Sequence, residues 1–346
     1  MKKYQNKENF RSFLASQMSQ YLEVKSVLNY NIESMGYVLA NFDLYLRTHR
    51  THNLKQLTIS YFLDWIEEEI SQFCPRTVEH KLCMLKGFFN HLVRCEFLIH
   101  NPLGFLPTIK PFQYIPYVYS REQIKKILEI AYSQIFESKN YFFSRWAHYA
   151  IIYTIYACGL RISECLKLTG GDIRWDDMTL FIRETKFGKN RIIPFHIKVA
   201  KILEEYRSTR ESRFPSPSPA DWFFVTYRNM RYSRKSILDR FKNLLKKAGV
   251  TEERRLKGNV IYGGPTIHSL RHSFAVHRLM RWYEEGINPN NKLHLLSTYM
   301  GHYKWEYTHH YLKLCSPLRQ LTGKKFAEKF DKLSWIERNE DEIGHE

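Results

Sequence analysis

The sequence predicts a two-domain protein, in which an all-α N-terminal domain precedes a mixed α+β domain that is mostly helical and has a small three-stranded sheet. A length of 346 residues favours two domains over one. Apolar residues recur at helical spacing through the first hundred residues. After residue 172 a short block changes to strand-like segments, and helical spacing then returns.

The N-terminal domain is predicted to span residues 1–103 as four or five helices. Its apolar positions follow helical spacing in three segments, at residues 35–46, 59–70 and 82–93. Asn101 and Pro102 end the last of these segments.

Residues 104–119 are predicted to be an extended linker between the domains. Prolines occur at 102, 107, 111 and 116, and this density excludes a continuous helix. The alternative is a long loop within one domain, which is less common at this length.

The second domain is predicted over residues 120–335. Ser120 and Gln123 are spaced as a capping box that opens a helix from Arg121 to Phe136. A helix over 142–157 ends before Gly159, and strands are predicted at 172–175, 179–183 and 191–195. Further helices are predicted at 197–211, 233–248, 268–283, 292–300 and 322–335. Residues 336–346 form an acidic tail that is predicted to be disordered.

The charge balance limits the classes of partner. There are 53 basic and 35 acidic residues, which gives a net charge of +18. Such an excess predicts a polyanionic partner, either nucleic acid or an anionic membrane surface. The sequence has neither a long apolar segment nor a secretory signal, so a cytoplasmic protein without a membrane span is expected. The scattered cysteines favour neither a disulfide framework nor a zinc site.

Two short segments carry candidate groups for metal-free phosphodiester chemistry. His268 and Arg271 are three residues apart and share a helix face, so they would bring an acid–base group and an anion-binding group together. An isolated pair of this kind is more often a buried histidine and a surface arginine. Arg161 lies upstream, and Glu164 one turn later is expected to orient it, although a solvated ion pair has the same spacing.

Three further candidates complete the set. Lys186 lies in the predicted turn between two strands, where a lysine can act as a proton donor, although most turn lysines are solvated and Lys189 is a basic neighbour. His302 follows Gly301, and Tyr311 is a candidate nucleophile that needs a partner to take its proton. Tyr303 and Tyr307 compete with it, and His309 and His310 suggest a metal site with His302. No cysteine or carboxylate pair accompanies these histidines at zinc spacing, so no metal is expected.

In order and spacing, Arg161, Lys186, His268-x-x-Arg271, Gly301-His302 and Tyr311 resemble the tyrosine recombinases of the phage integrase family, in particular the Xer-like site-specific recombinases. The resemblance implies that residues 1–103 are a SAM-like core-binding domain that binds DNA and that residues 120–335 are the catalytic domain.

The family resemblance also implies a mechanism. Tyr311 would attack the scissile phosphate to form a 3′-phosphotyrosyl link, and recombination would pass through a Holliday junction. Arg161 and Arg271 would bind the non-bridging oxygens, His302 would hydrogen-bond the phosphate, His268 would assist proton transfer from the tyrosine, and Lys186 would protonate the leaving oxygen. No cofactor, metal or ATP would be needed. Four protomers would assemble on double-stranded DNA through the C-terminal helix, with accessory proteins as further partners.

Other functions stay open at this point. A type IB topoisomerase uses similar chemistry to relax DNA, and a catalytically inactive DNA-binding protein or a basic membrane-surface protein would share the charge. The biological task could be DNA integration or excision for a mobile genetic element, or the resolution of chromosomes, and a bacterial protein would be associated with the nucleoid. Candidate DNA-backbone contacts in the two domains are Arg76, Thr77, Lys81, Lys86, Arg228, Arg231, Arg234 and Lys235.

Overall fold

The chain divides into two units between Gln113 and Tyr114. The computed structural model describes residues 10–30, 32–106, 112–183, 190–302, 304–312 and 314. None of the helices in these ranges is both long enough and apolar enough to cross a membrane.

The N-terminal unit is built from four described helices, which confirms the predicted all-α architecture. Aromatic rings fill its centre, and the ring of Phe42 lies close to those of Phe62, Trp65 and Phe89. The backbone amides of Arg11 and Ser12 donate to the buried carboxylate of Asp43. The helices are α1 (Ala15–Val27), α2 (Glu33–Thr48), α3 (Ile59–Gln72) and α4 (Pro75–Arg94).

The C-terminal unit is mostly helical and is organised around one buried helix, α6. Helix α6 packs against α5, α8 and α10, and its residues from Phe143 to Ile152 are all buried except Arg145. The helices of this unit are α5 (Arg121–Phe136), α6 (Phe142–Ala157), α7 (Ile162–Cys165), α8 (Ile197–Arg213), α9 (Arg234–Lys247), α10 (Ile267–Glu284), α11 (Pro289–Met300) and α12 (Glu306–Leu312).

The described strands form two small sheets. They are β1 (Gln113–Ile115), β2 (Ile173–Arg174), β3 (Thr179–Ile182), β4 (Arg191–Pro194), β5 (Arg255–Lys257) and β6 (Val260–Tyr262). Strands β2, β3 and β4 pair antiparallel in that order, with Leu180 opposite Ile193, and they confirm the predicted three-stranded sheet. Buried Leu180, Ile182 and Ile193 turn one face of this sheet toward the core.

The second sheet, with order β1-β6-β5, was not predicted. It includes residues 113–115 from the segment predicted to be a linker. Tyr119, at the end of that segment, is fully buried; its backbone amide donates to Ser273 and its hydroxyl donates to the Thr266 carbonyl. The last residues of the predicted linker are therefore part of the C-terminal unit. The helix predicted at 322–335 and the acidic tail at 336–346 lie outside the described residues.

Candidate active site

Helix α10 supplies three side chains of the site from its first two turns. Thr266 caps it: the side chain accepts from the Ser269 amide, and the Ser269 hydroxyl accepts from the Thr266 amide. Ile267 and Leu270 are buried in the core of the unit. This anchoring fixes the direction in which His268, Arg271 and His272 leave the helix.

Arg161 follows the turn that ends helix α6. Gly159 in this turn has φ +58°, a left-handed conformation that favours glycine. A Cβ atom at this position would lie 2.4 Å from the ring of Phe274 on α10. Glycine therefore permits both the turn and the close approach of α10, and the next turn of chain presents Arg161 to the site.

The carboxylate of Glu164 lies at the centre of an arginine cluster formed by Arg161, Arg191 and Arg271. It is 2.6 Å from Nη1 of Arg161, 2.9 and 3.1 Å from the two Nη atoms of Arg191, and 3.8 Å from Nη1 of Arg271. Burial acts to raise the pKa of Glu164, but the bonds from Arg191 and the charge of Arg271 outweigh it and lower that pKa to about 2. The carboxylate is therefore ionised and neutralises part of the arginine charge.

Arg271 is the most buried member of this cluster. Its Nη1 donates to the Gly159 carbonyl over 2.6 Å, and its Nη2 donates to the Met300 carbonyl. Burial, followed by the charge of Arg161, lowers its pKa to about 9, so the guanidinium stays protonated at neutral pH. The side chain of Arg161 is 23% exposed and that of Arg271 only 2%. Solvent, and hence a ligand, reaches Arg161 more readily.

Arg191 belongs to the site, although no motif in the sequence predicts it there. It begins strand β4, and both of its Nη atoms donate hydrogen bonds to the carboxylate of Glu164. Its Nε donates to the Tyr299 carbonyl over 2.9 Å. Such a fork needs the planar guanidinium, and a lysine would not reproduce it. The available sequence signal is an arginine at the start of a predicted strand, directly after the basic segment predicted to be a turn.

Gly301 turns the chain from helix α11 toward His302. It has φ +64°, and a Cβ atom there would lie 2.9 Å from Nη1 of Arg191. Nη2 of Arg161 is 3.5 Å from the Gly301 carbonyl. On the other side, Nδ1 of His302 is 2.7 Å from the hydroxyl of Thr308, which is fully buried on α12. These contacts place His302 between the arginine cluster and the helix that carries Tyr311.

Tyr311 is buried, and its hydroxyl is paired with His272. Oη of Tyr311 lies 2.8 Å from Nδ1 of His272, and its ring stacks 6.1 Å from the ring of His302. Burial raises the pKa of Tyr311, although the charges of Arg271 and Arg161 oppose this shift. The tyrosine that the sequence predicted as nucleophile therefore lies beside the predicted histidines and arginines.

The three histidines of the site are held in the neutral form. The pKa of His268 is lowered to about 4 and that of His302 to about 3. In both cases desolvation is the largest cause, and the charges of Arg271 and Arg161 follow. Desolvation and the neighbouring His268 lower the pKa of His272 to about 3. At neutral pH each imidazole therefore has one nitrogen that can accept a proton.

The structure brings together the predicted residues Arg161, Glu164, His268, Arg271, His302 and Tyr311. It differs in one assignment, because the imidazole at the tyrosine hydroxyl belongs to His272 and not to His268, whose ring is 4.6 Å from that of His272. His272 is adjacent to Arg271 and four residues from His268, so helical spacing alone could have indicated it. Lys186 lies outside the described residues.

Among the candidate DNA contacts, most are at least partly accessible to solvent. Arg76 in the N-terminal unit is exposed, as is the second-domain group of Arg228, Arg231, Arg234 and Lys235, while Thr77 and Lys86 are half-buried. The charge of Arg234 contributes to the lowered pKa of His268, which places this arginine near the site. Lys81 is a correction: it is 3% exposed, forms an ion pair with Glu69 and lies over the ring of Phe73, so it is not free to bind a phosphate.

Comparison with known proteins identifies the group to which this site belongs. Residues 119–316, more than half of the chain, match the phage integrase family. The chain belongs to the phage integrase family. The match contains the arginine cluster, the three histidines and Tyr311, and membership implies DNA strand transferase activity.

Individual relatives agree with the family match. The chain is 27% identical to "Putative integrase/recombinase y4rB" of Sinorhizobium fredii over 285 residues, which cover 82% of this chain and 88% of that protein. It is 28% identical to the tyrosine recombinase XerD of Chlamydia trachomatis, over 69% of this chain and 71% of that protein. The phage integrase family member thus resembles tyrosine recombinases along most of its length.

A solved structure shows the same fold. A lambda integrase tetramer bound to a Holliday junction superposes with a TM-score of 0.62 at 16% identity, covering 86% of this chain and 76% of the other. At this low identity the likeness concerns the fold alone.

Proposed function

We propose that this integrase-family protein is a site-specific DNA recombinase that cleaves and rejoins DNA through a 3′-phosphotyrosyl intermediate, in integration, excision or resolution. The observation that carries the proposal is the position of Tyr311, whose hydroxyl is 2.8 Å from His272 in the same site as Arg161 and Arg271. Tyr311 would attack the scissile phosphorus, and the 5′ oxygen of the next nucleotide would leave.

The arginine cluster would stabilise the phosphate. Because Arg161 is the more exposed guanidinium, it would bind the non-bridging oxygens first, and buried Arg271 would add a fixed positive charge behind it. Glu164 would act as a positioning residue, since it bonds both to the side chain of Arg161 and, over 2.9 Å, to its backbone amide. Removing one such fixed donor from an enzyme typically costs about 10²–10³ in rate.

The remaining candidates have separate roles in this proposal. His268, which lies near Arg161, would hydrogen-bond the phosphate, and His302, which also lies near Arg161, would do the same. Lys186 would donate a proton to the departing 5′ oxygen, because a charged amine is a suitable acid and the predicted turn that carries it precedes Arg191 in the sequence. The site requires no cofactor or metal for these steps.

The partner would be double-stranded DNA, bound by a homotetramer. The net charge of +18 and the exposed arginines around Arg234 favour binding to the phosphate backbone. The lambda integrase of similar fold was solved as a tetramer on a Holliday junction, which supports the same assembly here. The C-terminal helix predicted at 322–335 would join the protomers, and accessory proteins would set direction. The protein would act in the cytoplasm, on the nucleoid if its host is bacterial.

Capture of covalent complexes tests this function directly. The protein is incubated with fragmented host DNA, complexes are denatured, and DNA that stays attached to protein is sequenced. The wild-type chain is expected to retain a defined sequence, whereas Tyr311→Phe should bind the same DNA without a covalent link. Tyr307→Phe is the matched control, because this exposed tyrosine lies on the same helix one turn earlier. An adduct that persists in Tyr311→Phe would refute the proposal.

A relaxation assay separates recombination from the topoisomerase alternative. Supercoiled plasmid without the captured sequence should stay supercoiled, while two copies of that sequence should yield recombinant products. Relaxation of the plasmid without the site would favour a type IB topoisomerase. DNA binding without any adduct from the wild-type chain would favour an inactive DNA-binding protein.

A further inference from the structure

Helix α10 carries two histidine–tyrosine pairs. Nδ1 of His272 is 2.8 Å from Oη of Tyr311, and Nδ1 of His277 is 2.9 Å from Oη of Tyr156 on α6. The first pair contains the proposed nucleophile, and the second lies on another face of the helix and is not part of the arginine cluster. One helix therefore holds a candidate reactive pair and a pair of the same chemistry that can serve as its control.

The surroundings of His272 keep its imidazole neutral. On its own helix it faces His268 and Arg271, from the turn after α11 it faces His302, and from α12 it faces Tyr311 and His310. Burial is the largest cause of its low pKa of about 3, and the charges of His268, Arg271, His302 and His310 lower the pKa further. None of these neighbours carries a carboxylate that would stabilise the protonated ring. The imidazole is thus available as a proton acceptor throughout the physiological pH range.

Tyr311 needs such an acceptor. A phenol ordinarily has a pKa of 10, and burial raises that of Tyr311 further, so the free phenolate is rare at neutral pH. A hydroxyl that attacks phosphorus must lose its proton during the attack. A heavy-atom distance of 2.8 Å lies within the range of about 2.6–3.2 Å that direct proton transfer requires.

We infer that His272 is a catalytic residue, and that its Nδ1 accepts the hydroxyl proton of Tyr311 as the phenolic oxygen attacks the DNA phosphorus. This inference rests on the proposed function, and it assigns to His272 the proton transfer that the family resemblance implies for His268. The bond from Oη to phosphorus forms while the bond from phosphorus to the 5′ oxygen breaks. The proton moves from Oη to Nδ1, and the 5′ oxygen receives a proton from the general acid of the proposed reaction.

Rejoining reverses each of these transfers. The incoming 5′ hydroxyl attacks phosphorus and gives its proton back to the general acid. Phenolate leaves, and the imidazolium of His272 returns its proton to Oη. The imidazolium that exists between the two steps lies close to Arg271, and this repulsion favours the return of the proton.

The test removes the basic group at position 272 but keeps a hydrogen-bond acceptor for Tyr311. In His272→Asn the amide oxygen can occupy the place of Nδ1 and accept from Tyr311, but it cannot take up the proton. The matched control is His277→Asn, the same change in the other pair. Both variants are assayed in the full-length chain for the single-turnover rate of adduct formation on the captured DNA between pH 6 and 9, with unfolding curves recorded for each.

We expect His277→Asn to react at the wild-type rate at every pH. We expect His272→Asn to be slower by about 10²–10⁴-fold at pH 7, the usual contribution of a positioned base. Its rate should rise steeply with pH as hydroxide replaces the imidazole, whereas the wild-type rate should depend on pH far less. A positioning role alone would lower the rate equally at all pH values, and that result would overturn the inference.

A second variant, His272→Ala, keeps the inference testable if His272→Asn does not fold. His272→Ala leaves space beside Tyr311, and added imidazole should restore adduct formation in this variant but not in Tyr311→Phe. Absence of rescue in a folded His272→Ala protein counts against the inference. If the wild-type chain itself forms no adduct, the proposed function fails as well. If it does, and His272→Asn matches it at each pH, only the role of His272 is refuted.

Discussion

The two sides of the candidate site are held in different ways. The arginine side is tied to one buried carboxylate, Glu164, and to the carbonyls of Gly159, Tyr299 and Met300. The nucleophile side contains hydrogen bonds between neutral side chains, one between the Tyr311 hydroxyl and His272 and one between Thr308 and His302. Tyr311 and Thr308 lie on the seven-residue helix α12, and Tyr311 also packs in an apolar cluster. A helix of this length has little stability of its own. The difference indicates that charged hydrogen bonds fix the arginine side, whereas neutral hydrogen bonds and apolar packing position Tyr311.

Replacing the carboxylate of Glu164 should cause the largest loss of unfolding free energy, because this group holds the arginine side together. Glu164→Gln leaves the buried guanidiniums of Arg191 and Arg271 without their counter-charge, and loss of one partner from a buried ion pair costs about 3–5 kcal/mol. Urea unfolding at pH 7 measures the change. The comparison variant is Glu204→Gln, which breaks an exposed ion pair with Arg207 and should cost less than about 1 kcal/mol. Equal losses in both variants would show that the buried carboxylate does not hold the arginine side.

The pH dependence of stability also tests how much the ionised carboxylate of Glu164 contributes. The folded-state pKa of Glu164 is about 2, below the ordinary value of 4.5, so its stabilisation is complete above pH 4.5 and declines as pH falls toward 2. The difference in unfolding free energy between wild type and Glu164→Gln should therefore shrink by about 2 kcal/mol between pH 7 and pH 3. Chemical unfolding of both proteins across this range measures it. A constant difference would mean that the pKa is not depressed.

Removing the Thr308 hydroxyl from the nucleophile side should have a small effect on stability and a larger effect on the rate of adduct formation. Thr308→Val removes the hydroxyl that is 2.7 Å from Nδ1 of His302 and should cost about 1 kcal/mol in unfolding free energy. The rate of adduct formation should fall by tenfold or more, on the order of what one misplaced catalytic group costs. Thr298→Val, an exposed change on α11, should alter neither. An unchanged rate in Thr308→Val would show that His302 does not depend on this bond.

Much of the fold could be predicted because local signals and burial agree. The capping box at Ser120 and Gln123 and the turn at Gly159 fix the ends of α5 and α6, and the helices have the predicted bounds, Arg121–Phe136 and Phe142–Ala157. The sheet β1-β6-β5 could not be predicted in the same way. Its strands have three residues each, and β5 is exposed throughout, so no alternation of apolar residues marks it.

The site was predicted where spacing along one helix or a short motif was enough. His268 and Arg271 share a turn, and Arg161 and Glu164 do as well. The pairing of Arg191 with Glu164 joins residues 27 apart, and the pairing of His272 with Tyr311 joins residues 39 apart. Such contacts depend on how strand β4 and helix α12 pack, which periodicity does not encode. Lys81 shows the reverse case, in which a basic side chain on a helix is buried by its tertiary partner Glu69.

The bonds of Arg271 have a consequence for genetic screens. Its guanidinium lies where the carbonyl-rich ends of α6 and α11 come together, so it neutralises the negative ends of two helices in addition to the phosphate binding proposed for it. A screen for loss of recombination would score Arg271 substitutions as null, but the cells would contain less folded protein in addition to a weaker enzyme. Substitutions at Arg161, which is half-buried and more accessible than Arg271, would separate the chemical contribution from protein abundance more cleanly.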